Sequence, residues 1–115
     1  MPSIKNLDMV SLKKYTKNAL EIELRENGVK CNSEVPLNVY YHGQVVGNYF
    51  ADLVVEDKII VEIKAVSDLV PVHEVQLVNY LKATGLHIGL LVNFGQSVKV
   101  KRRVFGYDGD TDEHR

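Results

Sequence analysis

The sequence predicts an α/β domain in which a mixed central β-sheet is flanked by two helices, in the order α-β-β-β-α-β-β. Two stretches, residues 9–27 and 72–84, have apolar residues at helical spacing. Between and after them lie short runs rich in Val and Ile, which are typical of strands. One run, residues 88–92, is apolar almost throughout. Such a run indicates a strand that is buried on both faces, as in a sheet with parallel neighbours.

The first half of the chain can be divided at its turn residues. The first helix should end at Gly28, because glycine readily adopts the left-handed conformation of a C-cap. Residues 29–36 are predicted to be a connector, and the first strand should begin at Val35 or Leu37. A turn at residues 42–44 then leads into the second strand.

The second half of the chain is bounded just as clearly. Pro71 is suited to the first turn of a helix, and Gly85 should close that helix. Residues 98–104 alternate at first and then become basic, which is consistent with an edge strand whose charges discourage aggregation. The same basic residues could equally contact a phosphate backbone.

Length and composition limit the classes of protein to consider. The 115 residues are enough for one domain, with 45% hydrophobic and 25% charged residues. We expect that domain over residues 9–105, with a flexible N-terminus at residues 1–8 and a disordered acidic tail at residues 106–115. The net charge of −1 gives no overall positive field, so any binding of nucleic acid needs a local basic patch.

The expected cellular compartment follows from features that the sequence lacks. Cys31 is the only cysteine, which excludes an internal disulfide and a cysteine-based zinc site and fits a reducing environment. No stretch has the length and apolar character of a membrane span, and the start lacks the apolar core of a signal peptide. We therefore expect a cytoplasmic protein that does not enter a membrane.

Three polar residues interrupt two otherwise apolar strands, residues 49–55 and 59–64. They are Asp52, Glu62 and Lys64. A charged side chain in such a run is costly unless it is paired or binds a metal. Because side chains alternate between the faces of a strand, Glu62 and Lys64 lie on the same face.

The position of Asp52 depends on the loop between these strands. A two-residue loop of Glu56 and Asp57 would set Asp52 opposite Val61. A three-residue loop that also includes Lys58 would set Asp52 opposite Glu62 on the same face, with the Cβ atoms about 5 Å apart. We predict the longer loop. Two converging carboxylates with an ammonium nearby form a site for a hard divalent cation, Mg²⁺ or Mn²⁺.

These residues also carry a family resemblance. Asp52 followed by Glu62, Ile63 and Lys64 resembles the D…(D/E)xK core of the PD-(D/E)XK nuclease superfamily. A wider run resembles the small prokaryotic GxxExxY family within it, over roughly residues 17–104. The matching segments, in order, are residues 39–47, 51–55, 61–65, 73–76, 79–85 and 89–95. The resemblance implies a restriction-endonuclease-like core.

The resemblance further implies a metal-dependent nuclease that hydrolyses phosphodiester bonds in DNA, or RNA, by in-line attack of an activated water. Asp52, Glu62 and the backbone carbonyl of Ile63 would bind Mg²⁺ or Mn²⁺. Lys64 would orient or deprotonate the attacking water, or stabilise the transition state. Nucleic acid, most plausibly DNA, is then the expected partner.

The second predicted helix carries two further candidates. His73, Gln76 and Tyr80 share one face of that helix. Gln76 and Tyr80 resemble the Q…Y motif that follows the ExK lysine in the nuclease domains of recombination helicase-nucleases, which implies that they position the substrate and Lys64. On spacing alone, Gln76 would be a surface residue and Tyr80 a core aromatic.

The first predicted helix departs from the family pattern. The family's signature Gly, Glu and Tyr correspond to Val10, Lys13 and Thr16, so all three are missing. Lys13 could repel a cation or contact phosphate, and Glu23 could replace the missing glutamate only from nearly three turns away. These losses leave an alternative: an inactive nuclease-fold protein that binds nucleic acid or protein, or that oligomerises. A homodimer is compatible with either function.

Four strand aromatics allow two interpretations. Tyr40, Tyr41, Tyr49 and Phe50 could stack on nucleic-acid bases. Aromatic residues in strands more often pack in the core, and we predict packing for these four.

Overall fold

A computed structural model describes residues 9–95 and 97–106. It contains the predicted mixed sheet with a helix on each face. The elements are α1 (Met9–Glu26), β1 (Cys31–Tyr41), β2 (Gln44–Val55), β3 (Ile59–Lys64), α2 (Pro71–Thr84), β4 (Ile88–Phe94) and β5 (Val98–Val104). The expected flexible N-terminus, residues 1–8, and all but the first residue of the expected tail, residues 106–115, lie outside the described residues.

The five strands follow one another across the sheet in chain order, from β1 to β5. Strands β1, β2 and β3 form an antiparallel meander. Helix α2 then crosses over, so that β4 pairs with β3 in parallel, while β5 returns antiparallel to β4. The apolar run at residues 88–92 is therefore in the predicted environment, between two neighbours and next to a parallel strand.

One helix packs on each face of the sheet. Leu77 and Leu81 of α2 are fully buried on one face, and Leu20 and Leu24 of α1 pack on the other. The strand residues that complete the two buried clusters are Ala51, Val54, Ile60 and Leu91 on the α2 face, and Cys31, Leu53, Val61, Ile63 and Val92 on the α1 face. The domain is thus built in three layers. Neither described helix is long and apolar enough to cross a membrane.

Strand β1 begins earlier than predicted, at Cys31 rather than at Val35 or Leu37. The strand includes Pro36, which fell inside the predicted connector. Because β1 lies at the edge of the sheet, Pro36 can stand inside it without leaving a neighbouring strand short of a donor.

Three of the four strand aromatics are exposed, so the packing prediction was wrong for them. Tyr40, Tyr41 and Phe50 expose 56%, 66% and 61% of their surface, because they lie on the β1–β2 hairpin where no helix covers them. Tyr49 does pack against the core, on the α2 side. The difference reflects how far each helix extends over the sheet.

The basic edge strand β5 is tied to α2 by ion pairs. Glu74 of α2 accepts from Lys101 at 3.0 Å and also pairs with Arg103. Helix α2 begins at Pro71 and is closed by Gly85, whose φ of 77° suits glycine and whose amide donates to the Leu81 carbonyl. Both helix limits agree with the sequence-based expectation.

Candidate active site

The β2–β3 connection has the three-residue loop that the site prediction required. Val55 pairs with Ile59 around Glu56, Asp57 and Lys58. Glu56 and Asp57 both have positive φ, at 55° and 56°. The regular pairing that follows from this loop ends at Leu53 and Val61, one step before Asp52 and Glu62.

Strand β2 changes face at Asp52. Ala51 packs in the α2-side cluster, whereas Leu53 packs in the α1-side cluster, so the usual alternation is broken between them. The neighbouring strand β1 is irregular at the same level, because Glu34 has a φ of 50° and falls in a gap between paired residues. Asp52 and Glu62 are therefore not a regular cross-strand pair on one face, as the sequence suggested.

The structure nevertheless brings the two carboxylates together, through backbone groups. The Ile63 amide donates to Asp52 Oδ2 at 2.8 Å, and the Asp52 amide donates to Glu62 Oε2 at 3.3 Å. Each carboxylate is thus held by the strand that carries the other. The break in β2 lets Asp52 make these contacts, because its side chain need not point straight out of the sheet.

Glu62 is the most strongly perturbed acid of this site. Only 6% of the residue is exposed. Burial first, and the Asp52 charge second, raise the pKa of Glu62 to about 7. The Lys64 ammonium acts in the opposite direction and lowers this pKa. At neutral pH the pair is therefore poised between one and two negative charges.

Lys13 of α1 is the nearest cation to Asp52, with its Nζ 3.5 Å from Asp52 Oδ2. The resemblance described above would have a glutamate at this position, and the structure has a lysine whose ammonium faces the carboxylate. Glu23 does not replace the missing glutamate, because it is exposed and its side chain contacts Asn27. The ammonium partly neutralises Asp52.

The carboxylates of Asp52 and Glu62 fit a hard divalent cation that takes only a few of its ligands from the protein. Among residues 9–95 and 97–106, no three His, Cys, Asp or Glu side chains form a group that could hold a metal. Two adjacent carboxylates remain, and one of them has a pKa raised by the charge of the other. Mg²⁺ characteristically uses one or two carboxylates and keeps several waters, so the pair suits it.

Lys64 lies half-buried at the end of β3, next to the start of α2. Burial, and then the Lys64 ammonium, lower the pKa of His73, which lies in the first turn of α2. The Val70 amide donates to His73 Nδ1 at 3.1 Å, which fixes the ring against the helix start. The Lys64 ammonium therefore acts electrostatically on both Glu62 of β3 and His73 of α2.

The two α2 candidates differ in their surroundings. Gln76 is exposed on the helix surface. Tyr80 packs against the core, and its ring stacks on Tyr49 with centroids 3.5 Å apart and planes at 14°. Burial, and then the Glu62 charge, raise the pKa of Tyr80, so its hydroxyl faces the acidic site. The packing of Tyr80 is therefore confirmed, and its role in positioning the substrate stays a prediction.

Sequence reasoning assigned Tyr49 to packing and missed its place at the site. Its hydroxyl is buried near the Glu62 carboxylate. Burial, and then the nearby Glu62 charge, raise the pKa of Tyr49. Tyr49 packs with Ala51 on the α2 side of the sheet, ahead of the break at Asp52. No sequence pattern signals this.

Asn93, at the end of β4, was also missed. Only 2% of it is exposed. Its side chain donates to the Val66 carbonyl at 2.9 Å and accepts from the Val66 amide at 3.0 Å. A Cβ on Gly95 would lie 2.5 Å from that carbonyl oxygen, so the chain passes closely here. Asn93 thus fixes the segment that follows Lys64.

Replacing Asn93 with alanine should lower the free energy of unfolding by roughly 2 to 4 kcal/mol, because both polar groups of Val66 lose their partner. Urea unfolding measures the change. Asn79→Ala on the exposed face of α2 is the control and should change stability by less than about 1 kcal/mol. Equal stability of the two variants would contradict this role for Asn93.

The fold and the site together define a class of protein: a mixed sheet between two helices, with an acidic pair and a lysine at the end of the central strand. The chain belongs to the PD-(D/E)XK nuclease superfamily, whose family model matches residues 5–104. Members of this superfamily generally use divalent metal ions.

Two solved structures share the fold. One, described as the crystal structure of SSO0001, has a TM-score of 0.62 at 23% identity, over 79% of this chain and 48% of that one. The other is an alkaline exonuclease from Laribacter hongkongensis, with a TM-score of 0.60 at 15% identity, over 84% of this chain and 58% of that one. This chain thus spans about half the length of each. None of the curated proteins matches the sequence.

Proposed function

We propose that the protein is a metal-dependent nuclease that hydrolyses phosphodiester bonds, with DNA as its main substrate and RNA as the other possibility. The observation that carries this proposal is the reciprocal contact of Asp52 and Glu62, with Lys64 next along the strand. A carboxylate buried beside another is costly unless a cation joins them. Superfamily membership supports the same reaction class.

Asp52, Glu62 and the Ile63 carbonyl would hold Mg²⁺ or Mn²⁺. Once bound, the metal would supply an acidified water and neutralise charge on the scissile phosphate. The protein's part is to fix the donors in advance, since the Ile63 amide already holds Asp52 in place.

Lys64 would orient or deprotonate the attacking water, or stabilise the charge of the transition state. Its position two residues after Glu62 on β3, and its lowering effect on the pKa of Glu62, support this role. Exposed Gln76 would contact the substrate, since its amide can donate to a phosphate oxygen and accept from the amine. Tyr80 would position the substrate and Lys64 from the same face of α2.

We also assign the protein to the GxxExxY family, on the segments that resemble it. The missing first-helix signature is the main departure, and Lys13 stands where the glutamate would be. A homodimer and a cytoplasmic location stay predictions.

Divalent-dependent cleavage is the direct test of the activity. Plasmid DNA, single-stranded DNA and RNA are incubated with the protein in Mg²⁺, Mn²⁺ or EDTA. We expect products only with a divalent ion, and none from Asp52→Asn. Asp57→Asn, in the exposed turn at the other end of β3, should cut like the parent. Equal cleavage in EDTA, or by Asp52→Asn, would refute the proposal.

The Lys13–Asp52 ion pair favours a second candidate, a binding module with a silent site. On this hypothesis the ammonium, 3.5 Å from Asp52, takes the place of a metal permanently. Asp52, Glu62 and Lys64 would then be a local charge cluster, and the protein would bind nucleic acid or protein without cutting. Stability that does not respond to Mg²⁺ or Mn²⁺ would favour this candidate, because a salt bridge needs no metal.

A further inference from the structure

A basic cleft adjoins the acidic pair on the α1 side of the sheet. Its volume is about 370 Å³. It is lined by Lys13, Lys14, Lys17, Glu34 and Asp52. Three ammonium groups thus face two carboxylates in one cleft, although the whole chain has a net charge of −1. The local charge is therefore opposite to the overall charge.

Lys17 is the least expected member of this cleft. Only 9% of the residue is exposed, so most of its side chain is packed against the protein. Its ion pair is long, with Nζ 3.8 Å from Glu34 Oε1, and the Glu34 side chain is 69% exposed. A solvated partner at that distance compensates a buried charge poorly. The site is better satisfied when an anion enters the cleft.

The charge order along α1 supports the same conclusion. The helix has no acidic residue in its first turn, and Lys13, Lys14 and Lys17 all lie in its first half. The helix dipole favours the reverse arrangement, with anions near the N-terminus. The three lysines give this half of the helix a positive field, which attracts anions.

We propose that this cleft is a phosphate subsite for the backbone of the nucleic-acid substrate, with Lys14 and Lys17 as its anion-binding residues. The proposal rests on the proposed nuclease function, since Asp52 belongs to both the cleft and the acidic pair. A strand whose scissile phosphate lies at that pair would place a neighbouring phosphate in the cleft. The half-exposed Lys13 lies between the two positions.

Binding without cleavage tests the subsite. Fluorescence anisotropy of labelled single-stranded and duplex oligonucleotides is measured in EDTA, from about 50 to about 200 mM salt. Lys14→Gln combined with Lys17→Met should weaken binding roughly tenfold or more, because two phosphate contacts are lost. Each lost contact should also reduce the salt slope, which is the slope of the logarithm of the binding constant against the logarithm of the salt concentration, by about 0.7 to 0.9. Methionine keeps the apolar stem of the buried lysine.

Lys58→Gln is the matched control, because this exposed lysine lies in the turn at the opposite end of β3. It should bind like the parent. If circular dichroism shows that Lys17→Met is unfolded, the exposed Lys14→Gln alone decides, with an expected loss of severalfold. A folded lysine variant that binds as tightly as Lys58→Gln would overturn the subsite.

The binding result is separate from the cleavage result. A protein that binds through these lysines but never cuts would confirm the subsite and refute the nuclease. A protein that cuts, but whose lysine variants keep parental affinity and salt slope, would refute the subsite and leave the nuclease standing.

Discussion

Replacing Lys64 with methionine should reduce cleavage by about a hundredfold to ten-thousandfold, the range typical of a lost proton-transfer group. The fold should persist, because methionine retains the apolar stem and Lys64 is only half-buried. Rates on the preferred substrate, with circular dichroism of both proteins, measure the effect. Lys58→Met in the exposed β2–β3 turn is the control and should cut at the parental rate.

Measuring cleavage at a second pH separates the role of the Lys64 amine in the reaction from its effect on the pKa of Glu62. The Lys64 ammonium lowers the pKa of Glu62, so its removal also favours the protonated acid. At about pH 9, well above a pKa of about 7, Glu62 should be ionised in both proteins. Loss of cleavage there as well identifies the amine itself. A Lys64→Met protein that cuts at the parental rate at both pH values would refute the assignment.

Without metal, the protein should become less stable as the pH rises from 4.5 to about 7, because folding raises the pKa of Glu62 from 4.5 to about 7. Between these values the folded state binds more protons than the unfolded state, so the free energy of unfolding falls with increasing pH. The contribution is fully present below pH 4.5 and is lost above about pH 7. A shift of this size corresponds to about 3 kcal/mol.

Urea unfolding in EDTA, at about pH 5 and about pH 8, measures this change. Glu62→Gln carries no charge, so its stability should be nearly equal at the two pH values and should exceed the parent's at the higher one. Exposed Glu26→Gln should behave like the parent. If Glu62→Gln has the same pH dependence as the parent, Glu62 does not have a raised pKa.

The β2–β3 loop and the parallel strand could be predicted because each rests on a local rule. Loop length alone fixed the register of Leu53 opposite Val61, the pair next to Asp52 and Glu62. The unbroken apolar run of β4 alone indicated a strand between two neighbours. In both cases, the information lies within about ten residues.

The other features of the fold and the site depend on tertiary contacts, which no local sequence pattern indicates. The start of β1 was missed because a proline inside a strand is acceptable only at an edge, and edge position is a property of the whole sheet. The break at Asp52 arises where the strand passes from the α2 side to the α1 side of the core. That break places Ala51 and Leu53 on opposite faces, which the alternation of a regular strand does not predict.

The Lys13–Asp52 contact could be predicted only in part from the sequence. The sequence placed Lys13 where the resemblance has a glutamate, and the alternatives were that it repels a cation or contacts phosphate. The structure places it 3.5 Å from Asp52, at the mouth of the lysine cleft. Whether a metal can compete with this ammonium decides between the nuclease and the binding module.

Isothermal titration of the purified protein with Mn²⁺ tests that question most directly. The account predicts binding that Asp52→Ala and Glu62→Ala both remove, and that weakens below the Glu62 pKa of about 7. A folded protein that binds no Mn²⁺ at about pH 8 would contradict the account, because Lys13 would then occupy the place of the metal.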